Sequence, residues 1–239
     1  MSILDLRKQI WSENRNHCEN FVPPENSTKF VYDVNFKYPS LSKKANVSIV
    51  KKDSIVASYK YDNPLILSFS DDLVPGGCVN VDCGNQEESI FRRTTIQKHL
   101  PCILYPIREH EAIYSPFVDI MYDSEDTSYR KLVPKITSNF VSCPGLKFPI
   151  LDRTNRIINH QDTKILKEKI ELIFQICISN NHKTLILGPI GCGAYGTPIK
   201  HTAEIFKQLI KSRVSNSLEN IVFACLGSSY SIFEDVFHD

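Results

Sequence analysis

Apolar residues recur along the chain with two patterns, one typical of helices and the other of buried strands. The clearest helical period covers residues 162–181, where Ile165, Ile170 and Phe174 share one face. Short apolar runs such as residues 64–70 are typical of buried strands. The pattern predicts helices at 3–16, 86–100, 162–181 and about 198–211, and strands at 47–50, 64–70, 111–123, 133–143, 184–188 and 220–226.

The order of these elements indicates the fold class. In the second half of the chain strands alternate with helices, which favours a layered α/β domain with a partly parallel sheet. Residues 20–45 are rich in Pro, Ser and Asn, and this composition predicts an irregular arm over the surface. We therefore expect a helical extension over residues 1–45, packed on one compact unit over residues 46–239.

Composition and charge narrow the classes of function. The 239 residues have a net charge of +1 and 23% charged residues, so nothing general favours binding to a membrane or sequence-specific binding to nucleic acid. The N-terminal stretch carries Asp5, Arg7 and Lys8 among its apolar residues and does not resemble a secretory signal. A cytoplasmic location is expected, with a nuclear one as the alternative.

Eight cysteines are spread over the chain without metal-binding spacing. Several lie inside apolar runs, for example Cys177 and Cys225, so we expect reduced thiols in the core rather than disulfides or a metal site. Cys78 and Cys192 differ because each interrupts a glycine loop. These two are candidates to face a ligand.

The loop Gly191–Gly196 reads GCGAYG and fits the dinucleotide-binding pattern G-x-G-x-x-G. That motif normally lies in the first β-α-β unit, with an acid at the end of the next strand to hold the ribose. Here the next strand, residues 220–226, is followed by GSSYS and no acid. The remaining interpretation is a glycine loop between a strand and a helix whose backbone N–H groups hold an anion.

A second glycine loop follows the strand at 64–70 and leads to two adjacent carboxylates, Glu87 and Glu88. Adjacent residues on a helix point about 100° apart, so the two side chains cannot share one task. Acids at a helix N-terminus are common because the helix dipole favours them. A functional interpretation gains weight because both glycine loops follow strands, and ligands bind at the carboxyl ends of such strands.

Several motifs in this order resemble those of the microbial-type poly(ADP-ribose) glycohydrolases, which are built on a macrodomain. The family has a Gly-Gly-Gly run and then Gln-Glu-Glu, and this chain has Gly76-Gly77-Cys78 and Gln86-Glu87-Glu88. The likeness continues through FRRTTI, AIYSPFV and TLILGPIGCGAYGTP. Two positions depart from the pattern: Cys78 replaces the third glycine, and Val74 replaces an Asn.

The resemblance implies a macrodomain-like three-layer α/β/α sandwich with a mixed central sheet. It implies ADP-ribose as the ligand, with the diphosphate on the backbone of the second glycine loop and no metal or other cofactor. Glu88 corresponds to the catalytic acid, while Glu87 would bind the ribose or order the loop, and Gln86 would be structural. The ligand-binding residues implied are Gly76, Gly77, Cys78, Gln86, Gly191, Cys192, Gly193, Ala194, Tyr195, Gly196 and Tyr230.

The function predicted in this way is hydrolysis of the ribose–ribose bonds of poly(ADP-ribose), with ADP-ribose as product and poly(ADP-ribose) or ADP-ribosylated proteins as partners. One alternative is a module that binds ADP-ribose without cleaving it, although a module of that kind has no need of a positioned acid. The other is a hydrolase for a different ADP-ribosyl linkage, on a protein side chain or a nucleic acid. This alternative stays open because Cys78 replaces a glycine of the family's motif. For adenine stacking, Tyr230 is a candidate, while Phe233 is expected in the core.

Overall fold

The structure is a computed structural model that describes residues 2–81, 83–157 and 159–238. The α-helices in these ranges are α1 (Ile3–Cys18), α2 (Ser54–Ser58), α3 (Gln86–Arg93), α4 (Ile96–His99), α5 (His160–Ser179), α6 (Ile199–Leu209) and α7 (Ser228–His238). The strands are β1 (Thr28–Val31), β2 (Asn46–Val50), β3 (Leu65–Phe69), β4 (Glu111–Tyr122), β5 (Lys131–Cys143), β6 (Thr184–Leu187) and β7 (Asn220–Ala224). Within the described ranges no helix has the length and apolar character needed to span a membrane.

The strands form one mixed sheet in the order β1-β4-β5-β3-β6-β7-β2. The pairs from β5 to β2 are parallel, whereas β4 is antiparallel to both β5 and β1. Because β3 and β6 are parallel neighbours, their carboxyl ends lie side by side. The two glycine loops that follow these strands therefore meet at one edge of the sheet.

Helices cover both faces of this sheet. Leu65 and Leu67 of β3 belong to a core shared with α5, α6 and α7, while Ile66 between them belongs to a core shared with α2, α3 and α4. This alternation is the ordinary consequence of successive strand residues pointing to opposite faces. The predicted three-layer α/β/α arrangement with a mixed central sheet is confirmed.

One predicted helix, residues 86–100, is interrupted in the structure. α3 ends at Arg93, and Thr94 is extended, with φ −136° and ψ 169°. The side chain of Asn14, which is buried, donates to the carbonyl oxygens of Phe91 and Thr94, both at 2.8 Å. A tertiary contact from α1 thus stabilises the carbonyl groups at the end of α3, where the sequence predicts a continuous helix.

The ends of the chain also differ from the prediction. The arm predicted over residues 20–45 contains β1, which pairs antiparallel with β4 at the edge of the sheet. The division of the chain at residue 45 stays a prediction, and the sheet includes a strand from before it. At the other end the sequence analysis named no element after residue 226, where the structure has α7.

Candidate active site

A cavity of about 620 Å³ opens at the carboxyl ends of β3 and β6. This volume lies in the range of small-molecule sites. One wall combines the loop after β3 with the first turn of α3, and the opposite wall is the loop between β6 and α6. The predicted site residues that line the cavity are Gly77, Cys78, Gln86, Glu87, Glu88, Gly191, Cys192, Gly193, Ala194 and Tyr195.

Gln86 fixes the start of α3 against the end of β3. Its Oε1 accepts a hydrogen bond from the backbone N–H of Phe69 at 2.7 Å. Its Nε2 donates to the carbonyl oxygen of Leu67 at 2.8 Å and to the hydroxyl of Ser54 at 3.1 Å. Since both ends of the amide are engaged, Gln86 sets the position of the two carboxylates that follow it.

Glu87 holds the first glycine loop. Its Oε2 accepts from the backbone N–H of Asp71 at 2.7 Å, and its Oε1 accepts from that of Gly76 at 3.0 Å. The pKa of Glu87 is raised to about 8, chiefly by burial; the two backbone hydrogen bonds oppose this rise, and the charges of Glu88 and Asp71 add to it. The carboxyl group of Glu87 is therefore mostly protonated at neutral pH.

Glu88 has one oxygen engaged and one free. Its Oε1 accepts from the backbone N–H of Cys78 at 3.1 Å, and the Cys78 sulfur lies 3.0 Å from the same oxygen. Among the described residues Oε2 has no hydrogen-bond partner, although the residue is only 4% exposed. Glu88 thus lines the cavity with a positioned carboxyl group, one oxygen of which is buried without a partner among the described residues.

Gly77 makes room for both carboxylates. It has φ +50°, in the region that favours glycine. A Cβ at this position would lie 2.9 Å from Oε1 of Glu88 and 3.0 Å from Oε2 of Glu87. A side chain at residue 77 would displace the acids, so this glycine has a role in the site besides its backbone conformation.

Two of the eight cysteines form a disulfide, contrary to the expectation from the sequence. Cys78 and Cys83 form a disulfide, with their Cα atoms 5.7 Å apart, so the expectation that the thiols are all reduced was wrong. The chain brings the two sulfurs together because residues 76–81 turn back through short-range hydrogen bonds, from Val79 to Gly76 and from Val81 to Cys78. The other cysteines are free, and Cys18, Cys143, Cys177 and Cys225 are buried as expected.

The second glycine loop presents free backbone N–H groups to the cavity. Gly191 has φ +76°, and its carbonyl accepts from the N–H of Thr197 at 3.0 Å, which closes the loop on itself. In the described part of the chain, the N–H groups of Gly193, Ala194 and Tyr195 donate to no acceptor. Unpaired N–H groups between a strand and a helix form a site for an anion.

Tyr195 connects the two walls of the cavity. Its hydroxyl donates to Oδ2 of Asp71 at 3.3 Å, and Asp71 belongs to the loop after β3 in the opposite wall. Its ring lies 4.8 Å from the Lys147 ammonium, and Lys147 forms an ion pair with Asp72. Burial, with the negative charge of Asp71, raises the pKa of the Tyr195 hydroxyl. The tyrosine is therefore a neutral, anchored part of the rim.

Three residues predicted to bind the ligand lie outside the cavity walls. Gly76 is buried behind the wall, where its N–H donates to Glu87. Gly196 is exposed at the end of its loop, and the half-buried Tyr230 donates from its hydroxyl to Glu234 at 2.6 Å. Phe233 is fully buried, so its predicted place in the core is confirmed.

Sequence analysis missed some residues that line the cavity, among them Asp71, Ser228 and Ser229. Asp71 accepts from the N–H groups of Leu73 and Val74, an Asx turn that the run Asp-Asp-Leu-Val-Pro could have indicated. The two serines begin α7. Their place in the wall depends on a helix that the sequence analysis did not predict.

About half of the chain matches the sequence model of a known enzyme family. The sequence model described as microbial-type PARG, catalytic domain, matches residues 10–123. This match confirms the predicted resemblance to the microbial-type PARG family. The matched residues include the first glycine loop, Glu87 and Glu88. Among curated proteins no match to the chain is found.

Solved structures with the PARG fold superpose on nearly the whole chain. The poly(ADP-ribose) glycohydrolase from Thermomonospora curvata has a TM-score of 0.80 and 17% identity, over 97% of this chain and 99% of that one. The same enzyme bound to the inhibitor ADP-HPD has a TM-score of 0.78 and 17% identity, over 96% and 98% of the two chains. The Deinococcus radiodurans PARG in complex with ADP-ribose has a TM-score of 0.72 and 17% identity, over 98% and 92%. At this level of identity the similarity shows a shared fold.

Proposed function

We propose that the protein is a poly(ADP-ribose) glycohydrolase that releases ADP-ribose by hydrolysing ribose–ribose bonds. The observation that carries this proposal is Glu88, a buried carboxyl group in the first turn of α3; one of its oxygens is fixed by a hydrogen bond, and the other has no partner among the described residues. The match to the PARG catalytic-domain model over residues 10–123 and the fold of two bacterial PARG enzymes support it. A module that only binds ADP-ribose would have no use for such a group.

The second glycine loop is the proposed site of the diphosphate. Its N–H groups at Gly193, Ala194 and Tyr195, which have no acceptor among the described residues, are placed to donate hydrogen bonds to an anion. A cavity of about 620 Å³ is of the size that a nucleotide sugar requires. The bond to be cleaved then lies between this loop and the carboxyl group of Glu88, which lines the opposite wall.

Glu88 carries the proposed chemistry. In its protonated form it gives its proton to the leaving oxygen as the bond from that oxygen to the anomeric carbon breaks, and positive charge develops on the ribose ring. Water then adds to the anomeric carbon, and the Glu88 carboxylate takes the proton that this water loses. The free Oε2 is the atom proposed to exchange protons, because Oε1 is held by the N–H of Cys78.

Glu87 is proposed as a positioning residue. Both of its oxygens accept from the backbone of the first glycine loop, at Asp71 and Gly76. With these bonds in place the carboxyl group orders the loop that holds Gly77 against Glu88. These contacts favour the loop-ordering role over a direct contact with the sugar.

The test is release of free ADP-ribose from a poly(ADP-ribosyl)ated protein by the wild type and by Glu88→Gln. We expect the variant to release ADP-ribose about 10²–10⁴-fold more slowly, the usual contribution of a general acid. Binding of ADP-ribose, measured by calorimetry, should persist in both proteins. Glu109→Gln, at an exposed position outside the cavity, is the matched control and should behave as the wild type.

The outcomes separate the alternatives. Binding without release by the wild type would contradict the glycohydrolase proposal and favour a module that reads ADP-ribose. Release from mono-ADP-ribosylated protein or nucleic acid, and not from the polymer, would favour a hydrolase for another linkage. Cys78 gives that second function specific support, because its side chain lies against Glu88 at the position where the family has glycine.

A further inference from the structure

The turn that carries the disulfide lies directly against the proposed catalytic acid. The sulfurs of Cys78 and Cys83 and a carboxylate oxygen of Glu88 all lie within 4.8 Å of one another, in the part of the chain that the structure describes. We propose that these three residues form a binding site for a thiophilic divalent cation such as Zn²⁺ once the disulfide is reduced. The disulfide then keeps the site closed, and reduction opens it.

The donor set fits such an ion. Zn²⁺ binds cysteine thiolates at about 2.3 Å and carboxylate oxygens at about 2.0–2.2 Å, in tetrahedral sites with a fourth position for water. Two thiolates on one tetrahedral ion lie about 3.8 Å apart by that geometry. Small movements of the two sulfurs after the bond breaks are therefore sufficient. A carboxylate oxygen of Glu88, within 4.8 Å of both sulfurs, supplies the third ligand.

The turn is held in place by contacts other than the disulfide. The buried guanidinium group of Arg92 donates to the carbonyl oxygen of Cys83 at 2.8 Å. Trp11 of α1 donates from its indole N–H to Oδ1 of Asn80 at 2.9 Å. The N–H of Cys78 is fixed on Glu88 at 3.1 Å. Because these bonds do not depend on the sulfurs, reduction leaves both thiols beside the carboxylate.

The chemistry balances with a dithiol as reductant. The disulfide bond of the protein breaks and yields two thiols, while the dithiol is oxidised to its own disulfide. Binding of the cation releases the two thiol protons to solvent, since only thiolates are ligands. Two thiolates and one carboxylate carry three negative charges, so the occupied site has a net charge of −1.

Occupancy of the site would remove Glu88 from catalysis. A carboxylate that coordinates a metal cannot hold the proton that the leaving oxygen needs, and the ion lies in the cavity wall. This consequence rests on the proposed function, whereas the binding of the cation does not. The oxidised protein is accordingly the form that hydrolyses its substrate in the presence of zinc, and the reduced protein is the form that zinc inhibits.

Binding is tested with Cd²⁺ alone, because Cd–thiolate bonds absorb in the ultraviolet. The full chain is reduced with a dithiol, freed of the reductant without oxygen, and titrated with Cd²⁺ beside an oxidised sample. We expect the absorption in the reduced wild type and its absence in the oxidised protein. Cys83→Ser should weaken binding at least about 100-fold, more than the loss of an outer-shell partner would, and Cys102→Ser, which removes an exposed cysteine, should leave it unchanged.

Glu88→Gln is the decisive variant because it keeps both thiols. Its affinity for Cd²⁺ should fall at least about tenfold in the reduced state, and equal affinity would overturn the proposal. An equal Cd²⁺ signal in the reduced Cys83→Ser variant would also overturn it, provided that circular dichroism shows the variant folded. Release of ADP-ribose is measured on the same oxidised and reduced proteins. If none of them releases ADP-ribose, the proposed function is contradicted, but the conclusion on Cd²⁺ binding is unaffected.

Discussion

Replacing Gly77 with alanine tests whether the first glycine loop holds the two carboxylates in place. The added methyl group would lie 2.9 Å from Oε1 of Glu88 and 3.0 Å from Oε2 of Glu87, so the two carboxyl groups would have to shift. The residue also has φ +50°, where any residue with a Cβ is strained. Both effects act directly on the acids, so stability and activity should fall together.

The magnitude follows from these two terms. The left-handed backbone costs a non-glycine residue about 1 kcal/mol. Crowding in a packed site typically costs a further 1–3 kcal/mol or so. We expect Gly77→Ala to lower the free energy of unfolding by about 2–4 kcal/mol. A shift of Glu88 by about 1 Å should slow release of ADP-ribose about 100-fold.

The matched control is Gly227→Ala. Gly227 has φ +57°, and a Cβ there would meet no atom of the described residues within 4 Å, so the variant carries the backbone strain without the contact. It should lose only about 1 kcal/mol. Urea denaturation measures both stabilities, and initial rates of ADP-ribose release measure activity. The reasoning is refuted if the two variants lose equal stability and Gly77→Ala still releases ADP-ribose at close to the wild-type rate.

Two further predictions concern buried ionisable side chains, Glu87 and Arg93. Burial raises the pKa of Glu87 to about 8, from an ordinary value of 4.5, so between these values the folded protein keeps a proton that the unfolded chain releases. Stability should therefore fall as pH rises from about 5 to about 8, by at most roughly 5 kcal/mol, and Glu87→Gln should flatten this dependence in urea titrations at several pH values. Equal slopes for the two proteins would contradict the assignment. Separately, Asp53→Asn keeps a side chain able to cap α2 but removes the charge that pairs with the fully buried Arg93 at 2.9 Å. The variant should lose roughly 3 kcal/mol of stability by thermal or chemical denaturation, and a loss below 1 kcal/mol or so would show that the pair is not needed.

The sequence predicted most of the sheet and many, although not all, of the residues that line the cavity. Apolar runs without a helical period marked the central strands β3 and β6, because a strand covered on both faces has no polar side. Parallel neighbours place their following loops at one edge, and the glycines in those loops mark where the backbone approaches a ligand. The motif Gln86-Glu87-Glu88 is therefore assigned to this edge of the sheet by the sequence alone.

Only the tertiary structure decided several contacts between distant residues. The sequence could not show that Asn14 of α1 binds the carbonyl groups at the end of α3, or that Tyr195 reaches Asp71 across the cavity. It could not show that Cys78 and Cys83 are bonded against Glu88. Periodicity and motif spacing report the local conformation of a segment and the face that it buries. Which polar atoms form hydrogen bonds with each other depends on how separate segments pack. This packing is determined only by the folded core as a whole.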